Sequence, residues 1–305
     1  MDILEVKNLK KSFNGHAVIK DLSFQVPEHS VFGFLGANGA GKTTTMKMIL
    51  GLLQPDEGEI RVGGSRVSYG ETKTNRMIGY LPDVPEFYNY MRAKEYLKLC
   101  GEVSGMPAKK IQDKSGELLE IVGLKDVKQK IGGYSRGMKQ RLGIAQALLN
   151  DPRLLLCDEP TSALDPVGRK EILDILSVVK SQMTVVFSTH ILSDVERICD
   201  RVAVLHDGKL ALCGGLEELK SGHKRDEMIL ELMNEQDARK LHGMLLNTAG
   251  ITAVDRSRFS LTIQVQDVEK SGFDILSLVL KEQIQVLKYE VQEPNLETLF
   301  MEVVK

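Results

Sequence analysis

No uninterrupted apolar stretch approaches the roughly 18 to 20 residues needed to span a hydrocarbon core, so the chain is not expected to cross a membrane, and any membrane contact would run through a partner. There is no excess of one charge. Forty Lys and Arg stand against 42 Asp and Glu, for a net charge of -2. A duplex-binding domain concentrates basic residues, so nucleic acid is not an expected partner. The four cysteines, Cys100, Cys157, Cys199 and Cys213, form no C-x-x-C pair, which argues against a zinc site or a redox motif. In a chain of this size they read as reduced, mostly buried thiols rather than a disulfide framework. Met1 to Lys10 alternates apolar and charged residues and lacks the segments of a signal peptide, so export of the chain is not expected.

What is present suits a globular protein of one large domain or two unequal ones: 305 residues, 42% hydrophobic and 27% charged. Short apolar runs at Ile3 to Leu9, Leu22 to Val26 and Val31 to Leu35 read as strands. After a glycine-rich loop, Lys42 to Leu53 has helical spacing, with Met46, Ile49, Leu50 and Leu53 on one face, and residues 54–58 supply a turn. From about Glu86 to Asn150 the pattern is mainly helical, an insert. Strand-like runs return at Leu154 to Cys157, Val185 to Ser188 and Val202 to Leu205, alternating with helical stretches at Arg169 to Lys180 and Ile191 to Cys199. That alternation predicts a parallel α/β core.

A second region begins near Glu217, after Gly214-Gly215. Its order is strand (Met228 to Met233), helix (Gln236 to Leu246), strands at Ile251 and Phe259, helix (Phe273 to Leu280) and strand (Val286 to Val291). Phe259, Leu261, Ile263 and Val265 alternate with polar residues, the mark of a strand with one buried face. The order predicts a ferredoxin-like βαββαβ domain with a terminal helix.

Gly36-Ala37-Asn38-Gly39-Ala40-Gly41-Lys42-Thr43 matches G-x-x-x-x-G-K-[ST] in full, between an apolar run and a helical one. Glycines there let backbone N–H groups converge on phosphate oxygens, and the helix starting near Lys42 aims its positive end at them. Lys42 is expected to reach the β- and γ-phosphates and the Thr43 hydroxyl to ligate Mg²⁺; Thr44 joins the nucleotide-binding set. Leu154 to Cys157 leads into Asp158-Glu159, two carboxylates where a parallel sheet presents its carboxyl edge to a ligand. Asp158 would hold Mg²⁺ directly or through water, and Glu159 would polarise the attacking water as general base. Taken singly, the first string is also a structural turn and the second a strand ending in solvent.

With these motifs in order, residues 1 to 218 resemble the nucleotide-binding subunit of the ATP-binding cassette family. Tyr134-Ser135-Arg136-Gly137-Met138-Lys139-Gln140 stands where that family carries L-S-G-G-Q. Ser135 and the second glycine are kept, while Tyr134, Arg136 and Met138 replace Leu, Gly and Gln. As an isolated string it is also a helix capped by Ser135. The resemblance implies that Ser135 and the Gly137 amide close on the γ-phosphate held by a second copy of the chain. Ser162-Ala163-Leu164-Asp165 resembles the family's loop that contacts the opposite subunit, and Thr189-His190 its switch histidine, which contacts the γ-phosphate. Phe13 sits where the family stacks an aromatic ring on adenine, although an aromatic beside two strands also suits plain core. Asp83 occupies the place of a glutamine that touches Mg²⁺, where a carboxylate could meet the metal through water.

The resemblance implies an α/β fold: a P-loop NTPase cassette domain (1–218) with parallel-sheet core, antiparallel β subdomain and helical insert. A small α+β ferredoxin-like accessory domain (219–305) would follow. It implies an ATPase with ATP and Mg²⁺, a head-to-tail dimer, a multispan membrane permease as separate partner and a place on the cytoplasmic face of the membrane. The ending Pro294 to Phe300 is similar to tails in the branch associated with drug, antibiotic and small-peptide export. Two other functions fit the sequence less well. A ribosome- or DNA-directed cassette would carry a second ATPase copy or a long coiled coil, and a small-molecule kinase would not need the signature, the Ser162 loop and His190 in this order.

Overall fold

The computed structural model describes residues 1–71, 73–222, 227–292, 296–297 and 299–300. They divide into two compact units, one built on Met1–Glu217 and one on Glu218–Leu299. Of the tail string, positions 294, 295 and 298 lie outside the described residues.

The first unit opens with a long hairpin, β1 (Asp2–Phe13) and β2 (His16–Pro27). Asn14 and Gly15, at φ 49° and 80°, make the two-residue turn, and Phe13 pairs with His16 across it. Both strands therefore run well past the apolar runs visible in sequence. β3 (Val31–Leu35) is buried throughout. α1 (Lys42–Ile49) stops short of Leu53 because Gly51 turns left-handed at φ 67°. Then come β4 (Glu57–Val62), β5 (Ser65–Arg66) and β6 (Ile78–Leu81). The insert comprises α2 (Ala93–Val103), α3 (Ala108–Ile121) and α4 (Arg136–Leu148). β7 (Leu154–Asp158), α5 (Pro166–Val179), β8 (Thr184–Thr189), α6 (Leu192–Ile198), β9 (Arg201–His206), β10 (Lys209–Gly215) and α7 (Leu216–Gly222) follow.

Two sheets form this unit: an antiparallel one in the order β2-β1-β4-β5, and a six-stranded one in the order β10-β9-β3-β8-β7-β6. In the latter only β10 runs antiparallel to its neighbour. The sheets meet through aromatic packing, with the Phe24 ring 5.6 Å from Phe32 and 5.4 Å from Phe34. Burying each such ring contributes about 1.5–3 kcal/mol. On the other face of β3, a Cβ on Gly33 would lie 2.9 Å from both Cys199 Sγ and Val195 Cγ1, so glycine lets α6 close on the strand. Register then fixes the site: Leu35 pairs with Thr189, and Asp158 with Ser188. Three parallel strands thus end together at one carboxyl edge.

The second unit is β11 (Glu227–Leu232), α8 (Glu235–Leu245), β12 (Ile251–Ser257), β13 (Ser260–Val265), α9 (Val268–Lys281) and β14 (Val286–Val291). Its antiparallel sheet has the order β12-β13-β11-β14, the split βαβ arrangement expected. Met228, Leu230, Leu232, Leu261 and Ile263 fill its core. Two expectations are corrected. Phe259 is exposed, because the hairpin closes between Ser257 and Ser260 and leaves it in the turn rather than on the buried face. The thiols divide rather than being mostly buried. Cys157 and Cys199 are buried and Cys100 partly so, but Cys213 is exposed because it lies on the edge strand β10.

Candidate functional site

A cavity of about 370 Å³ opens at the carboxyl edge of the parallel sheet. Its floor is the loop from β3 into α1, contributing Asn38, Gly39, Gly41, Lys42, Thr43 and Thr44; Asp83, Glu159, Ser162 and His190 complete the lining. The loop's glycines have separate reasons. A Cβ on Gly36 would lie 2.6 Å from the Leu205 carbonyl, and Gly41, at φ 107°, would clash with Ile19. Gly41 caps α1, and the N–H groups of Lys42, Thr43 and Thr44 in its first turn have no intrahelical acceptors. The floor of the cavity is therefore a ring of donors at the positive end of a helix, suited to phosphate.

Lys42 is 6% exposed, and its ammonium donates to Gly36 O at 2.7 Å and Ala37 O at 3.2 Å. It also lies 3.1 Å from Glu159 Oε1, an ion pair outside hydrogen-bond alignment: among the described residues that buried oxygen has no hydrogen-bond donor. The other carboxylate oxygen of Glu159 lies 2.9 Å from His190 Nδ1. Glu159 has a left-handed backbone, φ 47°, an uncommon state for a residue with a side chain. Its amide holds there by donating to Ser188 O and Ser188 Oγ, both at 3.1 Å.

Asp158, buried at the end of β7, accepts from Ser188 Oγ at 2.5 Å. Burial first, and the Asp158 charge second, push the Tyr80 phenol up to about 12. Burial raises the Asp83 carboxyl above its ordinary value; Arg136 opposes the rise, and Asp158 and Glu159 add to it. Asp83, Asp158 and Glu159 thus form one negative region. No three His, Cys, Asp or Glu side chains among the described residues are arranged to hold a metal alone. Thr43, Asp83 and Glu159 in the lining offer oxygen donors of the kind Mg²⁺ accepts, with water and substrate phosphates completing its sphere.

Residues expected to act together divide into two groups. Asn38, Gly39, Gly41, Lys42, Thr43, Thr44, Asp83, Glu159 and His190 line the cavity, while Ser135 and Gly137 do not, and Gly36, Ala37, Ala40 and Asp158 sit behind its lining. Ser135 caps α4, accepting from the Met138 amide at 3.2 Å, and a Cβ on Gly137 would meet only Leu164, at 3.9 Å. Phe13 is 44% exposed at the hairpin tip with Lys11 over its ring, which removes the plain-core reading. His206 ends β9 outside the cavity.

Three supporting residues were not suggested by sequence. Ser188 bridges Asp158 and Glu159, and its signal was its place just before Thr189-His190. Gln140, fully buried on α4, donates to the Asp83 carbonyl at 2.6 Å. Asp194, also buried, accepts from Thr161 Oγ1 and Arg169 Nη2, each at 2.6 Å.

A phosphate-binding loop, a strand-end carboxylate pair and a histidine converging on one sheet edge are the equipment of a nucleotide hydrolase. The chain belongs to the ATP-binding proteins of the ABC transporter family. That family matches residues 19–162, and the family described as "ATP-binding protein DrrA1-3-like, C-terminal domain" matches residues 214–304. The chain is 41% identical over 305 residues to the uncharacterized ABC transporter ATP-binding protein YxlF of Bacillus subtilis (strain 168), covering 99% of each. It is 36% identical to the bacitracin transport ATP-binding protein BcrA of Bacillus licheniformis, over 99% of this chain and 97% of that one. A solved structure described as the ATP binding subunit of an ABC transporter matches with TM-score 0.65 at 32% identity, over 72% of this chain and 92% of that. The chain is accordingly a nucleotide-binding ATPase subunit. Among the described residues no helix is long and apolar enough to cross a membrane.

Proposed function

We propose that the chain powers export through a separate, multispan membrane permease, and that two copies hydrolyse ATP in a head-to-tail sandwich at the cytoplasmic face of the membrane. The observation that carries this reading is Glu159, held between Lys42 and His190 beside the phosphate cradle. The ordering of roles follows from chemistry. Lys42 and the loop amides, Gly36 to Thr44, bind the β- and γ-phosphates of ATP, and Phe13 stacks on the adenine. Glu159 accepts a proton from the attacking water as its oxygen bonds to the γ-phosphorus and the bond to the bridging oxygen breaks. His190 steadies Glu159 and contacts the γ-phosphate. Thr43, Asp158 and Asp83 would hold Mg²⁺, which neutralises phosphate charge when bound.

Ser135 and Gly137 present an open helix start away from the cavity, suited to phosphate held by another copy. The export reading is supported by the likeness to a bacitracin transport protein and to a DrrA-like C-terminal domain. Cysteine crosslinking tests the sandwich. With ATP, Asn38→Cys is expected to crosslink to Ser135→Cys of another copy; if these positions never crosslink with ATP present, the sandwich is wrong.

A further inference from the structure

Among the described residues β14 is an edge strand of the second unit, paired on one side with β11. The Gln292 amide donates to Glu227 O at 2.8 Å, so the backbone groups of 292, 290 and 288 face β11 by alternation. Those of Tyr289 and Val291 turn outward, on a strand without a Pro. Native sheets normally guard such an edge with charge, a bulge or a cover. Here a bulge falls at Leu287, but the strand also carries a paired charge motif, Lys288 Nζ lying 2.5 Å from Glu290 Oε2.

We infer that this edge pairs with β14 of a second copy of the chain, antiparallel about a two-fold axis through Tyr289, giving a continuous eight-stranded sheet. The register selects itself. Outward-facing residues must oppose outward-facing ones, so the pairing is centred on 288, 289 or 290. Centring on 288 sets Lys288 against Lys288, and centring on 290 sets Glu290 against Glu290. Centring on Tyr289 instead places Lys288 opposite the second copy's glutamate at 290 twice over, and Leu287 opposite its valine at 291. Cross-strand opposite charges and apolar pairs are the units that stabilise a sheet.

The helix above the edge fits the same axis. α9 lies against Tyr289: a Cβ on Gly272 would be 2.7 Å from the Tyr289 hydroxyl. Phe273, Leu276 and Leu280 are 76%, 38% and 77% exposed, and at i, i+3 and i+7 they form one stripe. Leu287 and Val291 of β14 are exposed as well. A two-fold through Tyr289 brings the two stripes to the same seam and covers both.

The test uses the full chain with Cys213→Ser, without nucleotide and with ATP. Leu287→Cys mixed with Val291→Cys is expected to give heterodimers with a short bismaleimide, in amounts that neither variant alone produces. Lys288→Glu or Glu290→Lys, placed in both chains, is expected to lower that yield at least tenfold, and the two together to restore it. Circular dichroism checks that each swap leaves the fold intact. Absence of the heterodimer both without nucleotide and with ATP, as when another protein or another part of the chain covers the edge, overturns the inference. So does a yield that the single swaps leave unchanged. Because the crosslink is read without nucleotide, it is independent of contacts at Ser135.

Discussion

Arg136 Nη2 stands 3.3 Å from Asp83 Oδ1, tying the first residue of α4 to the loop that follows β6. Gln140, one turn further along α4, holds the same residue's carbonyl. The helix that starts at Ser135 is thereby linked to the cavity that Lys42 and Glu159 line. A shift of α4 would be felt at Asp83, and replacing Asp83 would be felt at α4.

That link has a pH signature. The Asp83 carboxyl is raised by burial and by the neighbouring carboxylates, so the folded state favours its protonated form. Its contribution to stability is present below the ordinary aspartate value and is lost as pH rises from there through the raised one. Asp83→Asn is therefore expected to melt slightly higher than the native chain at neutral pH and at the same temperature in strong acid. Both partners are about half exposed, which keeps the effect small. Arg136→Ala removes the opposing charge and should move the acid limb of the ATPase profile to higher pH. Thermal melts and turnover against pH read both.

Lys42 supplies a buried cation that the cradle's carbonyls hold in place. A hydrogen bond to a charged group contributes about 1.5–3 kcal/mol, so Lys42→Ala is expected to weaken ATP binding by roughly 10- to 150-fold, at about 1.4 kcal/mol per factor of ten. Titration calorimetry with ATP measures it, and an unchanged affinity would remove Lys42 from the phosphate contacts.

Asp194 supports the segment following Glu159 by accepting from Thr161 and Arg169. Truncating it strands a buried hydroxyl and a partly buried guanidinium. Asp194→Ala is expected to cost about 3–5 kcal/mol of stability, since breaking a buried pair leaves the other charge uncompensated. Urea denaturation reads the loss. A cost under ~1 kcal/mol would mean that the cluster is better solvated than its burial suggests.

The phosphate loop and the Asp158-Glu159 strand end were legible because both are contiguous strings in a strand-loop-helix setting. The second unit's order was legible because Met228, Leu230 and Leu232, like Leu261, Ile263 and Val265, keep strict alternation. The reach of the first hairpin was missed although Asn14-Gly15 is a strong two-residue turn signal, because polar residues such as Lys10, Lys11 and Lys20 break the apolar runs on either side. The end of α1 was missed because its apolar face continues to Leu53 past Gly51, and backbone conformation, not hydrophobicity, stops it. Ser188, Gln140 and Asp194 stayed hidden for another reason. Each acts on a residue at least 30 positions away, a relation that register and packing create and that no local pattern carries.

In the mechanism we propose, hydrolysis depends on Glu159, and replacing it by glutamine keeps its shape while removing its basicity. ATP turnover by Glu159→Gln, measured beside ATP binding and oligomeric state, is expected to fall by about 10²- to 10⁴-fold while ATP still binds and ATP-loaded pairs of chains persist. A Glu159→Gln chain that stays monomeric with ATP and turns over at the native rate would contradict it.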